Sequence, residues 1–205
     1  MRAAAHAAET VRTAGRFGVK DFEPEIDAKG VCGHVKGVIQ AIEPNDSVER
    51  FEGMGVTVIK GEGRFTGLGT IEVNDVRITA RRFVVATGSK PFVPPIPGLA
   101  DAGYYTNETV FDADALPEHL IVVGGGPIGM EMAQAHRQLG VKVTVLEIFS
   151  IMPKDDPELV DVVRRQLVSE GIDILEGVVV KGAEKTAQGV RVTYEAAEGS
   201  VVGGG

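Results

Sequence analysis

Residues 120–147 read LIVVGGGPIGMEMAQAHRQLGVKVTVLE, and this stretch decides the fold. Leu120-Ile121-Val122-Val123 is a short run apolar on both faces, the pattern of a central strand in a parallel sheet. Gly124-Gly125-Gly126-Pro127-Ile128-Gly129 follows it and fits G-x-G-x-x-G. Ile128 to Leu139 reads as a helix and Lys142 to Glu147 as the next strand. Strand, glycine turn, helix and strand together make the βαβ unit that holds a dinucleotide. In that unit Gly124 permits the tight turn, Gly126 lets backbone N–H groups approach a pyrophosphate, and Gly129 lets helix and strand pack closely. The helix N-terminus then turns its partial positive charge toward the phosphates. Eighteen residues beyond Gly129, Glu147 ends the second strand, where its carboxylate can accept hydrogen bonds from the adenosine ribose hydroxyls and would repel a 2′-phosphate. No Arg or Lys follows until Lys154, so NAD(H) is the expected ligand in preference to NADP(H). The bland alternative is a glycine-rich turn beside a solvated strand-end glutamate.

On the N-terminal side, residues 3–14 are alanine-rich and predict a helix, and Val31, Val35, Val38, Ile39 and Ile42 recur at helical spacing within 27–42. From Gly55 to Ile78 the pattern changes to short β-prone runs, Val56-Ile59, Arg64-Thr66, Thr70-Val73 and Val76-Thr79, broken by Gly and Asn-Asp, which predicts an antiparallel meander. Phe83-Val84-Val85-Ala86 predicts one more short strand, ending in Thr87-Gly88-Ser89. Pro91, Pro94, Pro95 and Pro97 then stiffen a connector that runs on to a domain boundary near Pro117. Beyond the βαβ unit, a helix over 157–170, a strand at 172–175 and β-prone segments at 178–181 and 190–194 continue an α/β alternation. The expected fold is therefore α/β: residues 1–117 with helices, meander and connector 90–117, then residues 118–205 as a Rossmann-like domain of three layers around a parallel sheet. The closing Gly203-Gly204-Gly205 is the one low-complexity tract.

The 205 residues are 43% hydrophobic and 24% charged, an ordinary globular balance. With 21 Lys plus Arg against 29 Asp plus Glu, the net charge of −8 disfavours nucleic acid and anionic membranes as partners and favours small molecules. No apolar run approaches the roughly 20 residues of a membrane span, and no secretory signal core is present, so a cytoplasmic location is expected. Cys32 is the single cysteine, which excludes an internal disulfide, a C-x-x-C pair and a cysteine-rich zinc site. Cys32 is expected to be buried and inert; with His34 it makes no metal site, and His6, His119 and His136 are assigned surface or packing roles.

Three segments in order, Gly61-Glu62-Gly63-Arg64-Phe65, then Val85-Ala86-Thr87-Gly88-Ser89 with its proline-rich sequel to Gly98, then Gly124 through Glu147, resemble the pyridine nucleotide-disulfide oxidoreductase family. Within the family the similarity is greatest to dihydrolipoamide dehydrogenase- and mercuric reductase-like flavoproteins. The resemblance implies a partial FAD-binding domain followed by an NAD-binding domain. It places Gly63 beside the FAD adenine portion, and Thr87, Gly88 and Ser89 along the flavin nucleotide. It also implies that Gly124, Gly125, Gly126, Pro127, Ile128, Gly129, Met130 and Glu131 wrap the NAD pyrophosphate and nicotinamide side, that Glu147 takes the ribose, and that Val180 borders the adenine. For Gly63 an ordinary turn glycine, for Thr87-Ser89 a plain strand-to-linker turn, and for Glu131 a first-turn acid complementing the helix dipole remain as alternatives.

Members of the family open with their own G-x-G-x-x-G for FAD, followed by a redox cysteine pair, and carry a later dimerisation domain with a His-Glu pair. None of these motifs stands in the 205 residues, so the chain is expected to be a fragment of a homodimeric parent, and no catalytic residue is assigned. Complete relatives pass hydride between NADH and flavin, the cofactors supplying the chemistry and the protein the positioning. Two other readings stand beside this one: a non-catalytic NAD(H)-binding module, and a flavin reductase that needs no redox disulfide.

Overall fold

The computed structural model describes residues 1–197; the Gly203-Gly204-Gly205 tail lies outside them. In chain order the elements are α1 (Arg2–Arg12), α2 (Ala28–Ile42), α3 (Val48–Gly53), β1 (Gly63–Gly67), β2 (Thr70–Val73), β3 (Val76–Thr79), α4 (Leu99–Ala102), β4 (His119–Val123), α5 (Pro127–Gln138), β5 (Lys142–Glu147), α6 (Pro157–Ser169), β6 (Ile172–Glu176), β7 (Val178–Thr186) and β8 (Gly189–Ala196). They fall into two compact units, residues 37–91 and the remainder. The class is mixed α/β: an antiparallel sheet β1-β2-β3 and a parallel sheet β4-β5-β6, with β7 and β8 as a separate hairpin.

Residues 37–91 hold the meander expected from the sequence. β2 and β3 pair from Thr70↔Thr79 to Val73↔Val76, with Asn74 in the left-handed region at the turn, a conformation asparagine tolerates better than most side chains. The Asn74 side-chain amide donates to the Lys60 carbonyl at 3.1 Å, which ties the approach to β1 onto the hairpin. Ser47 starts α3 by accepting the Arg50 N–H at 3.2 Å. Two expected strands do not form. Val56–Ile59 and Phe83–Ala86 carry no ladder, and Val84 and Val85 are 91% and 70% exposed. Composition suits them to a sheet, but a strand exists only against a hydrogen-bonding neighbour, and none pairs with them among the described residues. Phe83 is held by edge-to-face packing on Phe65, with ring centroids 5.3 Å apart.

In the remaining unit, β4, α5, β5, α6 and β6 form two successive βαβ crossovers. The apolar run of 120–123 predicts a central strand, but β5 is the middle one and β4 lies at an edge of the three. A strand apolar on both faces needs cover on both faces, and that does not specify neighbours on both edges. Val143 and Val145 on β5 are fully buried, joined by Met130 and Ala133 from α5, Val160 and Leu167 from α6, Ile151 and Ile172. After β6 the alternation of strand and helix stops. β7 and β8 pair antiparallel from Val178↔Ala196 to Thr186↔Gly189, with a bulge between Val180 and Gly182. The proline connector is tethered to this hairpin by the Ala183 N–H donating to the Pro97 carbonyl at 2.9 Å.

The alanine content of α1 has a packing purpose. Ala5 is buried against Ala135 of α5 and Leu139 just past its end, a close helix contact that larger side chains would hold apart. Arg12 reinforces it by donating to the Gln138 carbonyl at 2.8 Å while pairing with Glu9 and Glu23. At the start of α6, Asp156 accepts the Glu158 N–H at 3.0 Å and Pro157 occupies the first helical position. Asp156→Ala is expected to lower stability by about 1 kcal/mol in chemical denaturation. An unchanged midpoint would mean that Pro157 alone starts the helix.

Candidate functional site: the glycine turn of the first crossover

The turn between β4 and α5 sets its conformation residue by residue. Gly124 has φ of 107°, a region closed to ordinary side chains, and its N–H donates to the Leu146 carbonyl at 2.9 Å. A Cβ on Gly129 would sit 2.6 Å from the Gly124 carbonyl oxygen and 3.3 Å from Val122 Cγ1, so helix and strand approach as closely as the motif requires. At Gly126 a Cβ would meet nothing within 4 Å, which leaves the backbone open to solvent. No side chain caps α5, whose N-cap is Gly126 and whose first residue is Pro127. The first-turn N–H groups of the helix therefore have no side-chain partner and are available to an anion.

Gly125 has a role that the motif pattern does not reveal. A Cβ there would lie 2.8 Å from Ile151 Cγ2 and 3.1 Å from Glu147 Cγ. Its N–H donates to Glu147 Oε2 at 2.6 Å, and its carbonyl accepts from the Met152 N–H at 2.8 Å. Glu147 Oε1 accepts the Phe149 N–H at 2.9 Å. The carboxylate is thus fixed at the mouth of the glycine turn, and each oxygen keeps lone-pair capacity for a further donor such as a hydroxyl.

Glu131 lies on the fifth residue of α5, beyond the first turn, because the helix begins at Pro127; the dipole reading of Glu131 loses its premise. Its Oε1 accepts from the Arg2 guanidinium at 2.7 Å, in an exposed pair that joins α1 to α5. Met130 is buried in the core and Ile128 is exposed beside the turn. Val180 sits half-buried on β7 opposite Tyr194. The structure brings Gly124 to Glu131 together with Glu147 around one helix N-terminus. Gly63 begins β1, and Thr87, Gly88 and Ser89 are exposed and outside any regular element or turn, with Gly88 at φ of 66°; all four lie in the unit of residues 37–91.

Cys32 is buried, and no group of His, Cys, Asp and Glu among the described residues is arranged to hold a metal ion. Among those residues no helix is long and apolar enough to cross a membrane. His136 is buried on α5, and its Nδ1–H donates to the Met132 carbonyl at 2.7 Å, while the ring borders a small apolar hollow with Cys32, Val35 and Leu116. Burial pushes the imidazole below its ordinary 6.5, against a smaller opposing effect of the Met132 bond. The folded state therefore binds the proton less readily than the unfolded chain. The stability this contributes is complete above 6.5 and is lost as pH falls through that value toward the lowered one. Thermal unfolding should shift to lower temperature on acidification through that window, and His136→Gln should flatten the dependence.

The parallel βαβαβ sheet and its glycine turn define an α/β protein of the dinucleotide-fold class. A model of the pyridine nucleotide-disulphide oxidoreductase family matches residues 1–203, and the chain belongs to that family. It is 34% identical to a dihydrolipoyl dehydrogenase of Thermus scotoductus over 97% of this chain and 43% of the relative. It is 29% identical to a mercuric reductase of Lysinibacillus sphaericus over 90% of this chain and 34% of the relative. Among solved structures, the HOCl-induced flavoprotein disulfide reductase RclA from Escherichia coli superposes with a TM-score of 0.72 at 26% identity, covering 96% of this chain and 42% of that one. The chain thus spans less than half the length of each of these relatives. The family is one of FAD- and NAD(P)-dependent oxidoreductases.

Proposed function

We propose that this chain carries the NAD(H) site of a flavin-dependent oxidoreductase, the pyrophosphate at the N-terminus of α5 and the adenosine ribose at Glu147. The observation that carries this reading is the uncapped helix start behind an open Gly126, with a fixed carboxylate on its flank. Gly126, Ile128 and Gly129 offer backbone N–H groups to the pyrophosphate on a turn shaped by Gly124, Gly125 and Pro127, Met130 supports the turn from the core, and Glu131 stands on the nicotinamide side. Val180 borders the adenine. The Glu147 carboxylate, placed to accept from ribose hydroxyls, disfavours a 2′-phosphate and so selects NADH over NADPH.

The flavin side offers no comparable cradle among the described residues. Gly63 and Thr87–Ser89 are exposed, so FAD contact there belongs to the complete family fold and no reaction step rests on these residues alone. When bound, NADH supplies a hydride for the flavin, and the residues described here bind and orient the nucleotide. In this reading residues 1–117 are the flavin-side part and 118–205 the NAD-binding part of a cytoplasmic homodimer.

Titration of the purified chain with NADH and NADPH, followed by nicotinamide fluorescence, tests the site, with flavin absorbance recorded on the same sample. Saturable NADH binding at least about tenfold tighter than NADPH binding is expected. A folded chain that binds neither nucleotide, or binds both alike, removes the assignment.

A further inference from the structure

The glycine turn is held from behind by a layer of residues that no nucleotide would touch. Glu176, the last residue of β6, bridges two elements with its two oxygens. Oε1 accepts the N–H of Ile151 at 2.6 Å, and Oε2 takes the Arg164 guanidinium of α6 in a close ion pair. Both side chains are about seven-tenths buried, 29% and 28% exposed, which shields the pair from the screening that weakens surface ion pairs.

Ile151 is 1% exposed and presses on Gly125 from below, its Cα 3.0 Å from where a Cβ on Gly125 would stand. Met152, the next residue, has φ of 45°, a strained conformation for a non-glycine side chain, and its N–H grips the Gly125 carbonyl at 2.8 Å. The preceding peptide is held through the Gly125 N–H by Glu147, which also restrains Phe149. An unbroken series of bonds therefore runs from Arg164 through Glu176, Ile151 and Met152 to Gly125. The Ile151–Glu176 and Met152–Gly125 links join segments more than 20 residues apart in sequence, and the peptide bond between Ile151 and Met152 connects them. The strain at Met152 persists only where surrounding bonds hold it, and the Ile151 bond to Glu176 is the adjacent one.

We infer that Arg164 and Glu176 are positioning residues for the dinucleotide site, locking the 148–152 loop so that Gly125 and the Glu147 carboxylate are preset for NADH. The inference rests on the proposed NAD(H) reading and adds to it a remote control of affinity. A preset turn spares the ligand the ordering of that loop, so loss of the lock shows as weaker binding at unchanged chemistry of contact.

The test uses the full 205-residue chain, with Glu176→Ala removing both bonds, Glu176→Gln keeping an acceptor for Ile151, and Arg164→Leu leaving Glu176 on Ile151 alone. NADH affinity is read by fluorescence, and amide hydrogen exchange is read at Ile151, Met152 and Gly125. Glu176→Ala is expected to weaken NADH binding about tenfold and to speed exchange at Ile151 and Met152 selectively over the amides of β5. Glu176→Gln should recover most of the affinity, a rescue that a general loss of stability would not produce, and Arg164→Leu should fall between. If Glu176→Ala does not fold, Arg164→Leu and Glu176→Gln carry the comparison. Wild-type binding with unchanged affinity and exchange in the variants overturns this inference and leaves the site standing. A folded wild type that binds no NADH overturns the site itself, and this inference with it.

Discussion

Gly129→Val is expected to destabilise the chain by about 3 kcal/mol, the largest single effect of any change at the glycine turn. The first atom of the new side chain would lie 2.6 Å from the Gly124 carbonyl oxygen, closer than real Cβ contacts come, and 3.3 Å from Val122 Cγ1. The obstructing atom is backbone, not the end of a flexible side chain. Relief therefore requires α5 to move off β4, which opens the core around Met130 and Ala133. Gly126→Ala is the instructive contrast. Its φ of −70° suits alanine and the space beside it is open, so stability should change by less than about 0.5 kcal/mol. Binding should still suffer, because the added methyl stands where a pyrophosphate must approach the backbone. Urea unfolding and NADH titration on both variants separate the two roles. Equal stability of Gly129→Val and the parent would mean that the turn does not require its third glycine.

Glu147→Arg should weaken NADH binding by more than about tenfold and erase the preference over NADPH. Two effects act together. The N–H groups of Gly125 and Phe149 lose a charged acceptor that each now reaches within 3 Å, and a hydrogen bond to a charged group contributes about 1.5–3 kcal/mol. The guanidinium then offers no acceptor to ribose hydroxyls and attracts a phosphate instead. Glu147→Gln distinguishes the contributions: it keeps an acceptor and the approximate shape but removes the charge. A Glu147→Arg chain that binds NADH as the parent does would move the ribose contact away from β5.

The cysteine chemistry implied by the family name does not reside in these 205 residues, which hold only the buried Cys32. What the described residues contribute is a glycine turn on a packed parallel sheet.

Several elements are legible in the amino-acid sequence. β2 and β3 occupy the runs expected of them, β5 spans Lys142–Glu147 as read, and of the three motif glycines Gly124 has a positive φ, Gly126 faces open space and Gly129 lies in close helix–strand contact. Periodicity, glycine spacing and a strand-end carboxylate are local signals, and local geometry follows from them. Where pairing partners matter, the same signals fail: Phe83–Ala86 is apolar enough for a strand but has no ladder, and the run at 120–123 lies on an edge. Glu131 meets Arg2 across 129 residues of sequence, which no spacing rule foretells.

The sequence alone determined that a strand, a glycine turn and a helix would stand at residues 120–139 with an acid at 147, because each is specified by neighbours a few positions away. What holds that turn in place comes from packing between segments distant in the chain. The wedge of Ile151 under Gly125, the left-handed Met152 and the Arg164–Glu176 pair behind them join separate elements, and contacts of that kind are chosen by packing and leave no pattern in the chain.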